Sequence, residues 1–134
     1  MKLKKSYKGF IIWMICYMLA ETSVVFLPVK DSGLLARICM IVTALGIVLL
    51  TLIIYLTENI FWYSGMPYET ALNAGSEARK LYALRHLKLF GIFTAAYLLF
   101  STVMQLLHLS IWIDIVVFTV GITVAAICSM RIKL

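Results

Sequence analysis

A chain of 134 residues, 63% hydrophobic and only 13% charged, is too short for two soluble domains and too apolar for one. Its formal charge of +6 does not point to nucleic acid, because the Lys and Arg flank apolar runs instead of forming a patch interleaved with stacking aromatics. The apolar residues are best absorbed by helices of roughly 20 residues each that cross a bilayer.

Four such runs, about 9–29, 34–56, 89–109 and 111–130, predict an all-α polytopic membrane protein. It is a four-transmembrane-helix bundle forming one integral domain, with a structured segment, 57–88, between the second and third spans. Lys2, Lys4, Lys5 and Lys8 precede the first run. A basic start before an apolar run also opens a secretory signal. This run, however, is as long as a span, and Met18 stands two positions before Ala20 where a cleavage site wants a small residue, so an uncleaved helix is expected. Within it Tyr17 and Glu21 lie one turn apart and can share a hydrogen bond. Glu21 stands roughly 12 Å below the outer end of the span.

Lys30 and Arg37 are the only cations on the far side of the first turn; the rest cluster at the N-terminus, in 79–88 and at Arg131 and Lys133. The positive-inside rule then predicts a cell-membrane protein with both termini and segment 57–88 in the cytoplasm. In the second span Arg37, Ala44, Thr51, Tyr55 and Asn59 share a face, with Glu58 close to it. Phe61, Trp62, Tyr63 and Tyr68 follow and read as an interfacial aromatic belt.

Segment 57–88 is too long to be structureless in so compact a chain. Gly65, Pro67 and Gly75 mark breaks, and Ser76 with Glu77 behind it reads as an N-cap and first turn, predicting a helix that runs on into the third span. Arg79, Lys80, Arg85 and Lys88 spread around that helix and are expected to form a basic collar at headgroup level, open to anionic lipid or a partner's acidic surface.

In the third span Thr94, Tyr97, Ser101, Gln105 and His108 recur at steps of three and four, within an arc of about 80°. Such a polar stripe faces other helices or a water-filled cavity, because hydrocarbon offers no hydrogen-bond partner. In the fourth span Asp114, Gly121, Ala125 and Cys128 align, and Gly121 with Ala125 makes a small-xxx-small contact. Depth matching assembles an outer cluster of Glu21, Arg37, Gln105, His108 and Asp114, in which Arg37 is long enough to reach Glu21 if the first two helices are neighbours. Glu58, Asn59 and the collar form a second group on the cytoplasmic side.

Four spans, a Glu in the first and the triplet Leu19-Ala20-Glu21 resemble the small multidrug resistance transporters over those few residues. Segment 57–88, and Trp62-Tyr63-Ser64-Gly65 placed after the second span, depart from that family's short loops, and no family residue role is carried over. Cys16, Cys39 and Cys128 are scattered within spans without CxxC or His at ligand spacing, so they read as packing residues and no metal or cofactor is expected. Phosphate loops, GxSxG and HExxH are absent, which argues against an enzyme. Two functions remain. The first is an accessory, immunity or resistance-type protein that binds a membrane-protein partner or a second copy through intramembrane contacts. The alternative is a small transporter or channel in which Glu21 exchanges a proton or binds a cation.

Overall fold

A computed structural model describes residues 4–134; Lys2 lies outside them. Helix accounts for 79% and no strand occurs among the described residues, so tertiary structure is entirely a matter of helix packing. The elements are α1 (Lys8–Val24), α2 (Ser32–Thr57), a 3-10 turn (Ile60–Trp62), α3 (Tyr68–Asn73), α4 (Ser76–Leu106) and α5 (Ile111–Met130). By length and composition three helices, α2, α4 and α5, are long and apolar enough to cross a membrane. At 1.5 Å per residue they measure about 39, 46 and 30 Å, against a hydrocarbon core of about 30 Å.

The first run is the exception to the expected four spans. α1 has 17 residues and closes at Val24, about 26 Å of helix. Its end is local chemistry. The Thr22 and Ser23 hydroxyls donate back to the Met18 and Ala20 carbonyls, and the chain tightens into i→i+3 bonds from Val25, Phe26 and Leu27 before Pro28, which has no N–H to continue a helix.

The other boundaries are equally readable. Asp31 caps α2 by accepting from the Gly33 amide at 2.8 Å, and Ser110 caps α5 by accepting from Trp112. α2 stops because Glu58 adopts the left-handed conformation, φ 58°. α4 begins at Ser76 with Gly75 at the cap position; the Ser76 hydroxyl does not cap the helix but donates to Glu58 at 2.7 Å.

The helices run up and down. α2 and α4 are antiparallel and share the most extensive interface, α5 packs on α4 and touches α2, and α1 packs chiefly on α2 as the peripheral helix. Tyr17 of α1 rests on Gly46, where an added Cβ would stand 2.7 Å from the ring. On the other seam Gly121 of α5 receives the Phe93 ring in the same way, at 2.6 Å. Both glycines let an aromatic ring lie on the backbone of a neighbour. Gly46→Val is therefore expected to lift α1 off α2, costing about 1–3 kcal/mol of packing. Disulfide cross-linking between cysteines placed across that seam should drop, while cross-linking across the α2–α4 seam is unchanged.

The end of the bundle that holds residues 58–75 also carries Lys5, Ser6 and Tyr7 and the residues that follow α5. Ile54, Ile60, Phe61, Ala71, Tyr82 and Ala83 form its buried apolar cluster. Tyr7 packs edge-on against Phe61 at 5.3 Å, and the Trp62 indole donates to the Ser6 carbonyl at 3.0 Å. The aromatics expected as a belt are thus partly internal: Phe61 is buried in the cluster and Trp62 braces α1 through Gly9.

Candidate functional site

Polar side chains gather at three places. At the end formed by the N-termini of α2 and α5, Arg37 Nε lies 2.8 Å from Asp114 Oδ2. Its Nη1 donates to Gln105 Oε1 and its Nη2 to the Leu109 carbonyl at 3.1 Å. Ser101 Oγ donates to the same Asp114 oxygen at 2.9 Å. Arg37 is 5% exposed and Asp114 fully buried. Each ion alone in such surroundings would cost several kcal/mol, so the pair and its supporting hydrogen bonds stand or fall together. Asp114 Oδ1 and the Tyr97 hydroxyl have no hydrogen-bond partner among the described residues.

Much of the polar stripe of α4 therefore points inward. Thr94 donates to the Ala44 carbonyl at 3.3 Å, Tyr97 is buried against Phe118 at 4.8 Å, and Ser101 and Gln105 hold the ion pair. His108 does not continue the stripe. α4 ends at Leu106, and His108 has a positive φ of 51°, so helical periodicity no longer aims its ring. It is exposed, on the rim of a cleft of about 310 Å³ with Asp31, Ser32, Gln105 and Arg37.

Glu21 stands apart from this group. No cation among the described residues lies within ion-pair distance of it, and Arg37 turns away from α1 to Asp114. Its Oε1 accepts from Thr43 Oγ1 at 2.8 Å, and Thr43 in turn accepts from the Tyr17 hydroxyl at 3.2 Å. A residue of α2 thus links Tyr17 to Glu21. Glu21 is half-buried. Just along the same seam Trp13, Cys16, Tyr17, Ala20, Leu45 and Gly46 line an apolar groove of about 260 Å³, with Trp13 stacked on Tyr17 at 5.4 Å.

The third group lies at the other end of α2 and α4. Glu58 is 4% exposed and Arg79 5%. Arg79 Nε and Nη2 donate to Glu58 Oε2 at 3.1 and 2.8 Å, while Nη1 donates to the Ala74 and Ala71 carbonyls. Lys80 Nζ lies 3.7 Å from Oε1 of the same carboxylate. Burial pushes the Glu58 carboxyl up, but the Ser76 hydroxyl, the Arg79 guanidinium and Lys80 outweigh it and hold the group below the ordinary carboxylate value.

The expected basic collar is thereby revised. Arg79 belongs to the interior, because residues 58–74 fold over it, whereas Lys80, Arg85 and Lys88 are exposed. His86, on the same helix, is also buried. It stacks on Tyr63 at 4.2 Å and meets the tilted Tyr82 ring at 4.5 Å, with Nδ1 against the Tyr82 carbonyl at 3.0 Å.

Sequence reasoning passed over Thr43, and it read Tyr63 as part of an interfacial belt without pairing it with His86. Thr43 carried a signal, since it is the one hydroxyl between Ser32 and Thr51; the Tyr63–His86 stack joins a loop to a helix 23 positions on and carried none. Cys16 and Cys128 are exposed, Cys39 is half-buried, and all are free. No protein-family model, no curated protein and no solved structure matches the chain.

Proposed function

We propose that the chain is a four-pass protein of the cell membrane that acts, as an accessory, immunity or resistance-type factor, by binding a membrane-embedded partner along the α1–α2 side. Both termini and residues 58–75 lie in the cytoplasm. The tight turns over Val25, Phe26 and Leu27 lengthen α1 to about a full span, within the roughly 17–25 residues that crossing requires. The clustering of Lys and Arg at the loop-bearing end supports the orientation.

The observation that carries the reading is the contrast between Glu21 and the other buried acids. Asp114 and Glu58 each have a guanidinium and further donors. Glu21 has the Thr43 hydroxyl and no cation among the described residues, on a peripheral helix beside an apolar groove. A carboxylate at membrane depth is costly until it is paired, and a donor on a partner helix laid along this seam would complete it. Glu21→Leu is expected to release a partner captured with the wild-type protein in mild detergent, by at least about tenfold, equivalent to about 1.4 kcal/mol. Undiminished capture by this variant would overturn the reading.

The same half-satisfied carboxylate supports the second reading, a small transporter or channel. There, Glu21→Gln abolishes proton or cation flux in proteoliposomes while the protein stays folded, and unchanged flux removes that reading.

A further inference from the structure

One basic rim belongs to none of the three polar groups. Where α5 ends, a cleft of about 470 Å³ opens between the loop after the 3-10 turn, α4 and the last residues of the chain. Its lining includes Tyr63, Ser64, His86, Ser129, Met130 and Lys133. Arg85 stands at its edge and donates to the Lys133 carbonyl at 3.3 Å, which joins two residues from distant parts of the sequence. Arg131 lies between them and the membrane-crossing part of α5. Arg85, Arg131 and Lys133 are exposed, and none has a side-chain carboxylate within ion-pair distance among the described residues; the ion pairs there involve Arg37, Arg79 and Lys80.

Three further observations specify the ligand. Ser64 and Ser129 line the cleft, the Ser129 hydroxyl donating to the Ala126 carbonyl at 2.7 Å, and the buried Tyr63 hydroxyl has no hydrogen-bond partner among the described residues. The remaining wall is apolar, from Met66, Met130 and Ile132. Depth is the third. α5 has 20 residues, which at 1.5 Å each just span a core of about 30 Å, so Met130 to Lys133 fall at headgroup level. Cations and hydroxyls beside an apolar wall at that depth fit a phosphodiester carrying acyl chains better than a soluble phosphate, which has no use for the wall.

We infer that this cleft binds the headgroup of an anionic phospholipid, its phosphate held by Arg85 and Lys133 with Ser64 as a donor, and its glycerol and upper acyl carbons against Met130 and Ile132. The inference is independent of the role of Glu21.

The test is native mass spectrometry and thermal unfolding of the full chain in mild detergent. The probes are phosphatidylglycerol, phosphatidylcholine with the same acyl chains, and glycerol 3-phosphate. Phosphatidylglycerol should be retained at least about fivefold more than phosphatidylcholine and should raise the unfolding temperature, with glycerol 3-phosphate inert. The double variant R85Q/K133Q should lose that preference. K80Q, which removes a cation paired with Glu58 outside the cleft, should keep it and so controls for the loss of a nearby cation. Equal retention of the two lipids, an undiminished preference in R85Q/K133Q, loss of preference in K80Q to the same degree, or equal stabilisation by glycerol 3-phosphate would each overturn the proposal.

Discussion

Asp114→Ala is expected to be the most damaging single substitution in the membrane-spanning part, lowering stability by about 3–5 kcal/mol. The carboxylate is fully buried and shares one oxygen between Arg37 and Ser101. Its removal leaves a guanidinium inside the bundle with only an amide and a carbonyl to face, and hydrocarbon beyond. Arg37→Met should cost a similar amount by orphaning Asp114. The double variant Arg37→Met/Asp114→Leu should recover most of the loss, because exchanging a buried ion pair for apolar groups of similar volume is far less costly than breaking it. Unfolding in mixed micelles followed by circular dichroism gives all three values. Additive losses in the double variant would show that the two side chains do not act as a pair.

The second large effect is expected at the opposite end. Glu58→Ala removes the acceptor for Ser76 and Arg79 and a near neighbour of Lys80, leaving Arg79 buried with carbonyls alone, again about 3–5 kcal/mol. Backbone strain and charge can be separated here, because Glu58 has a positive φ of 58°. Glu58→Gly relieves about 1 kcal/mol of left-handed strain and should be more stable than the alanine variant while remaining well below wild type. Glu58 also gives the wild-type protein an acid limit. Its carboxyl is held below the ordinary value, so its contribution is complete above the unfolded-state pKa and disappears as pH falls through the lowered folded-state value. The loss of stability on acidification should be visibly smaller in Glu58→Ala than in wild type over that window.

How far the sequence spoke for itself depended on whether periodicity was still in force. Thr94, Tyr97, Ser101 and Gln105 lie within one unbroken helix, so their spacing alone predicted a shared inward face. His108 fits the same arithmetic but lies two residues past the end of the helix, where the rule no longer applies. Arg37 shows a different limit. Its depth allowed either Glu21 or Asp114 as partner, and choosing between them requires the rotation of α2, which is set by Tyr17 resting on Gly46 and by the α4 interface. The treatment of 79–88 as a collar counted charges around a wheel and took all faces to be free. Only the fold of 58–74 over α4 reveals that Arg79 is enclosed. No glycine stands at position 58 to announce a left-handed turn, so the grouping of Glu58 with the collar was legible in the sequence while its part in ending α2 was not.

The placement of the two buried ion pairs also has a mechanical meaning. Arg37 and Gln105 join one end of α2 to one end of α4, and Glu58 with Arg79 joins the other. A pair of rods fastened at both tips can neither slide past each other nor open like scissors without first breaking a buried charge contact. Rocking of one half of the bundle against the other is therefore an expensive motion for this molecule. α1, held by a ring on a glycine, a threonine relay and an indole, is the part left free to swing. A change of shape is therefore expected to cost least where α1 meets α2.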